Sequence, residues 1–340
     1  MNTSTATAPA KVILIGEHAV NRGAAALAVS VGLLARCTVT LETEQGYRFT
    51  GGDHTQQTTR DDILTLGQTI DRARAEAAYG TIQLLAASDF FAPAKYALAA
   101  LGNTLPPALD VRFESEIPQA AGLGSGGATV VALVAAVSQV LREDGSPRRL
   151  AALAHRGDIV AHGGVASGLD SQTSLYGGGI RYTAAHEGEP IAVANGLSLV
   201  IGHSGVVAAT SVVNGRVREW LGERPSRGHY FQEIGLLARH AEEALHDGDW
   251  PELGRLMNLN QLILERIGVS CPELEALNQA ALEAGAYGAK LSGSGGGGIM
   301  VALVAPDRSE QVAAAIAKAG GKPIVAPVGV PGVQVAGDKG

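Results

Sequence analysis

The chain has 340 residues and a formal net charge of −7, with 46% hydrophobic and 17% charged residues. That balance allows a sizeable buried core and speaks against nucleic acid or an anionic membrane surface as a partner. Aromatic residues make up only 4%, so the core must be built of Ala, Val, Leu and Ile, and the 45 glycines cluster in a way that points to backbone-lined sites.

The length predicts about two domains. Cys37 and Cys271 stand far apart and read as isolated thiols of a cytoplasmic protein. Residues 1–10 lack the basic start and apolar stretch of a signal peptide, and no apolar run is long enough to span a bilayer.

In chain order, residues 1–7 are a small polar tail. The stretch Lys11-Val12-Ile13-Leu14-Ile15-Gly16-Glu17-His18 reads as a buried strand with a lysine at one end and a Glu-His pair at the other. That places three polar side chains near an interior cavity. Singly, each also fits a snorkelling lysine or a satisfied turn residue. Residues 24–30 and 32–41 read as strand, and 42–60 as a polar hairpin or excursion. Residues 63–85 and 92–101 have helical spacing and are separated by a turn around Pro93.

A strand at 109–114 then leads through Ile117 and Pro118 into Gly122-Leu123-Gly124-Ser125-Gly126-Gly127-Ala128, followed by an unbroken Ala/Val/Leu stretch to residue 141. Strand, glycine loop and helix start form a phosphate-binding geometry, because free N–H groups and the helix dipole face the anion. The loop also matches G-x-G-x-x-G, but a dinucleotide site needs a further strand ending in an acidic residue. Here the acidic turn Glu143-Asp144-Gly145-Ser146-Pro147 follows directly. No Walker-type G-x-x-x-x-G-K-[ST] occurs.

A helix over 147–162 carries Arg156, Asp158 and His162. It precedes a loop of small residues, Ser167-Gly168-Leu169-Asp170-Ser171, in which Asp170 could serve as a base or metal ligand, or as a helix cap. Residues 183–190 read as a hinge, and a strand from 197 opens a second half. Helices are expected at 211–221, 230–247, 252–267, 272–284 and 308–319, with strands at 299–304 and 322–326. Helices alternating sparsely with antiparallel-type strands predict an α+β sandwich. Four consecutive glycines in Lys290-Leu291-Ser292-Gly293-Ser294-Gly295-Gly296-Gly297-Gly298 precede an apolar strand, which fits backbone packed against a ligand or another loop.

These three glycine- and lysine-bearing stretches, in this order and with the Ser-Gly-Leu-Asp loop, resemble the GHMP small-molecule kinases, and within them the branch that phosphorylates mevalonate. The resemblance spans the whole chain. It implies a two-domain α+β fold: an N-terminal α/β domain over 1–182 with the nucleotide loop, and a C-terminal ferredoxin-like α/β sandwich over 183–340. It also implies ATP-dependent phosphorylation of the 5-hydroxyl of mevalonate, with Mg²⁺ on the phosphates and a homodimer as the family form.

Carried over by position, Pro118, Gly122, Leu123, Gly124, Ser125, Gly126, Gly127 and Ala128 would wrap the ATP phosphates, braced by Gly293 and Gly295. Asp170 would be the base, with Lys11 beside it. Glu17, His18, Ser167 and Thr210 would line the alcohol site, His18 as a partner for the substrate carboxylate. The chain departs from the family pattern in three places. Gly126 and Gly127 stand where the family has Ser-Ala, the serine being its Mg²⁺ ligand. The family glutamate some eleven residues before the loop aspartate falls at Ile159, with Asp158 one residue earlier, so Ser125 and Asp158 are the metal candidates. The 206–210 loop lacks the Lys or Arg often found there. Rival readings are phosphomevalonate kinase, mevalonate 3-kinase, a mevalonate-type decarboxylase, or a non-catalytic nucleotide-binding regulator.

Overall fold

The computed structural model describes residues 2–118, 121–183, 187–207 and 210–336. Strand β1 (Thr3–Ile15) alternates exposed threonines with buried residues before becoming wholly buried. It pairs antiparallel with β2 (Ala26–Leu41), a single strand where the sequence predicts two. The hairpin β3 (Gly46–Gly51) and β4 (His54–Thr58) follows. Thr59 then starts α1 (Arg60–Ala75) through a capping box, its Oγ1 accepting from the Asp62 N–H while the Asp62 carboxylate accepts from the Thr59 N–H.

The predicted helix over 63–85 is two helices, α1 and α2 (Tyr79–Ser88), because the chain turns at Ala77 with φ +53°. Next come α3 (Ala92–Ala99) and β5 (Ala108–Ser115), the latter joining β2 and β3. The Ala/Val/Leu stretch forms α4 (Ser125–Leu141), apolar on nearly every face and therefore buried, against β1 and β2 on one side and α5 (Pro147–Ala161) on the other. Ser146 caps α5, accepting from the Arg149 N–H, with Pro147 in the first turn. Then come α6 (Leu169–Tyr176), β6 (Gly179–Thr183) and β7 (Glu187–Ile191). The stretch read as a hinge therefore contains an edge strand of the first sheet; its residues 184–186 lie outside the described residues.

The second half begins at β8 (Leu199–His203) and continues through α7 (Thr210–Glu223), α8 (His229–Asp247), α9 (Trp250–Ile267) and α10 (Pro272–Glu283). It ends with β9 (Gly288–Ser292), β10 (Ile299–Leu303), α11 (Ser309–Lys318), β11 (Lys322–Val325) and the short β12 (Gln334–Val335). Strands β11, β8, β10 and β9 make an antiparallel sheet in that order. Strand β12 returns to pair with β1, so the first sheet takes both β7 and β12 from beyond residue 182. One core cluster runs through both halves, from Ala6 in β1 to Ile316 in α11.

Candidate active site

Strand β1 carries Lys11, almost fully buried, to the glycine loop. Its backbone N–H donates to the Leu123 carbonyl at 2.9 Å, and its ammonium reaches the Gly122 carbonyl at 3.3 Å and Asp170 Oδ1 at 3.1 Å. Gly124 makes this approach possible. It is left-handed at φ +73°, and a Cβ there would stand 2.9 Å from Lys11 Cγ.

Asp170 lies in the first turn of α6, not in a loop. His162, at the end of α5, donates from Nδ1 to the Asp158 carbonyl at 2.9 Å and turns Nε2 toward Asp170 Oδ2 at 3.6 Å. Burial alone would raise the Asp170 pKa, but Lys11 and His162, one on each carboxylate oxygen, hold it well below the usual range. Burial alone would lower the His162 pKa; the Asp170 carboxylate beside its Nε2, with the charge of Asp158, instead raises it to about 9.

Asp158 is fully buried. Its Oδ2 accepts from the Ser171 N–H at 3.2 Å, and its Oδ1 has no partner among the described residues. Burial and the neighbouring Asp170 charge raise its pKa to about 6.

Two cavities meet at Asp170. One, of about 460 Å³, is lined by Gly122, Gly124, Ser125, Gly126 and the Gly295 side of the second glycine run. Gln83 of α2 and Val207 also line it. The other, of about 120 Å³, is lined by polar side chains, among them Lys11, Glu17, His18, Asp158 and Ser167. Both are bordered by Gly122, His162, Asp170, Thr210 and Ser294. Gly293 borders only the smaller one, and Pro118, Leu123, Gly127 and Ala128 border neither. Leu123 and Ala128 are core residues, and Gly127 serves packing against Asp170. Gln119, Ala120, Ala208 and Ala209 lie outside the described residues.

The Glu-His pair is placed differently from expectation. Glu17 is fully buried in an ion pair with Lys290 of β9, and its Oε2 has no partner among the described residues. Burial pushes the Glu17 carboxyl up and the Lys290 ammonium down, while each charge holds the other back. His18 sits at φ +60° and donates from Nε2 to the Ser294 carbonyl at 2.9 Å. Burial lowers its pKa to about 4, so the ring is neutral at pH 7 and its Nδ1 is an acceptor. An acceptor suits a hydroxyl donor. The carboxylate partnership expected of His18 does not follow from this geometry.

Ser167 Oγ accepts from the Leu169 N–H at 3.2 Å, and Thr210 Oγ1 lies 3.3 Å from Ser294 Oγ. No group of three or more His, Cys, Asp or Glu side chains placed to hold a metal occurs among the described residues. The orphaned Asp158 oxygen and the Ser125 hydroxyl are nevertheless the hard oxygen donors that Mg²⁺ prefers, and Mg²⁺ commonly uses only one or two protein ligands. They border different cavities.

Sequence reasoning singled out Lys11 and Asp170 but gave no role to His162, Lys290 or Gln83. The signal for His162 was its place four residues after Asp158 on the same helix, which puts both on one face.

Family models for the GHMP kinases N terminal domain and the GHMP kinases C terminal domain match residues 90–178 and 241–322. The chain belongs to the GHMP kinase family. It is 33% identical over 342 residues to the mevalonate kinase of Thermococcus sibiricus and 34% identical over 338 residues to that of Pyrococcus horikoshii, with 97% of each chain covered in both cases. The solved structure of L. major mevalonate kinase in complex with R-mevalonate superposes with a TM-score of 0.76 at 26% identity, covering 96% of this chain and 95% of that one. Within the family, the chain is thus most like the mevalonate kinases.

Proposed function

We propose that this chain transfers the γ-phosphoryl group of ATP to the 5-hydroxyl of mevalonate, giving 5-phosphomevalonate and ADP. The observation that carries this reading is the place of Asp170. It is ion-paired to Lys11 where a glycine-lined cavity meets a smaller polar one, so a nucleotide and an alcohol can face each other across it. Phosphoryl transfer passes through a loose transition state and needs mostly positioning and charge neutralisation. Little activation of the alcohol is required, so a carboxylate held at low pKa suffices. It orients the hydroxyl as an acceptor and takes the proton late, as the new P–O bond forms. Lys11 spends one ammonium donor on Asp170 and one on the Gly122 carbonyl, and its third can meet the transferred group in the transition state.

In the nucleotide cavity the N–H groups at the start of α4 would face the phosphates, with the helix dipole behind them. Glu17, His18, Ser167 and Thr210 would line the alcohol, with neutral His18 accepting from a substrate hydroxyl. Mg²⁺ belongs to the same reading. Asp158 and Ser125 would hold it, and when bound it neutralises phosphate charge. A homodimer and a cytoplasmic location are the remaining parts of the proposal; no helix among the described residues is long and apolar enough to cross a membrane.

The test is ADP release against a panel of alcohols: mevalonate, 5-phosphomevalonate, homoserine and galactose. The mevalonate product would be identified by phosphorus NMR. Turnover confined to mevalonate, with a 5-phosphate product, is expected. Faster turnover of 5-phosphomevalonate or a sugar, or a 3-phosphate product, would replace this substrate with another of the family.

A further inference from the structure

A third cavity, of about 800 Å³, opens away from the phosphate loop, between the β6–β7 hairpin and helices α7 and α8. Its walls join two kinds of surface. Arg22, Arg181 and Arg239 are one, with the Glu189 carboxylate beside Arg181; Phe231, Leu221 and Leu236 are the other.

The arginines are not equivalent. Arg181 is taken up by Glu189 and Glu242. Arg22 and Arg239 have no carboxylate partner among the described residues, and neither has Arg218, which lies close enough to Arg22 to disfavour its charge. Arginines without a carboxylate partner also occur elsewhere among the described residues, Arg48 and Arg142 among them, so what marks this cleft is how Arg22 is held.

Arg22 is moreover fixed before any ligand arrives. It lies over the Phe231 ring at 4.2 Å and spends one N–H on the His18 carbonyl at 2.7 Å. Four of its five donors remain for an anion, in a fork suited to carboxylate or phosphate oxygens. Opposite, Leu236 is 47% exposed, which offers apolar contact to whatever the guanidinium holds.

We propose that this cleft binds a small amphiphilic organic anion, its charged head on Arg22 and Arg239 and its apolar body on Phe231, Leu221 and Leu236. The site is distinct from both cavities that meet at Asp170 and does not depend on which alcohol the enzyme phosphorylates.

The probe is octyl phosphate below its micelle concentration, titrated calorimetrically and by the fluorescence of Trp220, the neighbour of Leu221. Saturating ATP is kept present so that the phosphate loop is filled. The expected result is saturable one-to-one binding that falls at least tenfold in Arg239→Gln and in Arg22→Gln, with inorganic phosphate binding at least tenfold more weakly than octyl phosphate. Arg239 is exposed on α8, so its variant is expected to fold and turn over as the parent does. Absence of saturable binding, displacement by ATP, or isotherms unchanged in both variants would each overturn the site. Equal binding of inorganic phosphate would overturn the amphiphilic class. The isotherm needs no turnover, so failure of the kinase assignment would leave it readable.

Discussion

Gly127, in the first turn of α4, lies directly against Asp170: a Cβ there would stand 3.0 Å from the Asp170 carbonyl carbon and Cβ, and 2.9 Å from the Ser171 nitrogen. The helix that follows the phosphate loop and the helix that carries the acidic residue are therefore in contact through a missing methyl group. Gly127→Ala must push them apart. Overpacking of this kind destabilises by about 1–3 kcal/mol, and a displacement of the reacting groups by about 1 Å can lower turnover about a hundredfold. Urea denaturation and steady-state kinetics on the same variant check both. Parent-like turnover would mean that Asp170 tolerates the shift and its placement is not critical.

Asp170→Asn keeps the shape of the side chain and removes the proton acceptor. Turnover is expected to fall by about two to four orders of magnitude, with ATP affinity nearly unchanged. Lys11→Met should likewise lower turnover more than it weakens binding, because the charge it meets develops mainly in the transition state. A rise confined to KM for ATP would place Lys11 on the nucleotide instead.

Local pattern revealed much of this. The apolar run after Lys11 located the second half of β1, while its alternating first half, Thr3 to Thr7, reads from sequence as a polar tail and is strand because β2 pairs with it. The glycine run located the start of α4, and the long Ala/Val/Leu stretch announced a buried helix. What local pattern could not convey is which elements meet. Lys290 looks like an ordinary strand lysine until β9 is set beside the end of β1. His162 became part of the site because α6 folds back on α5. His18 reads from sequence as a partner for the substrate carboxylate, since nothing in its neighbours along the chain foretells the Ser294 carbonyl on its Nε2. The break between α1 and α2 at Ala77 was missed because alanine is a strong helix former and gives no warning of a left-handed turn.

His162 gives the fold a pH dependence of definite sign. Its pKa is raised in the native state to about 9 from an ordinary 6.5. Its contribution to stability is therefore complete below pH 6.5 and is lost as pH rises through 9. The stability advantage of the parent over His162→Gln should shrink by about 1–3 kcal/mol between pH 6 and pH 9.5, read from urea denaturation of both proteins. A constant difference across that range would show that the ring is neutral and its contact with Asp170 uncharged.

Gly126 is not in the left-handed region, so its backbone does not bar a serine, and a Cβ there would stand 3.2 Å from the Ala161 methyl, tight but adjustable. Gly126→Ser should lower the Mg²⁺ concentration for half-maximal rate, and Asp158→Ala should raise it, each about tenfold. The measurement is a Mg²⁺ titration of activity at saturating ATP. Curves superimposing on that of the parent for Asp158→Ala would remove Asp158 from the metal site.

The ion pair between Glu17 and Lys290 also bears on how the molecule is made. Glu17 is synthesised 273 residues before Lys290, yet neither side chain has water to fall back on once the two halves close. During synthesis the end of β1 must wait, hydrated and open, for a strand that has not yet left the ribosome. Closing that end without Lys290 would bury a carboxylate lacking its counter-charge, which is unfavourable by several kcal/mol. The catalytic end of the protein therefore cannot close before β9 is in place, and a chain truncated before β9 cannot acquire a finished site.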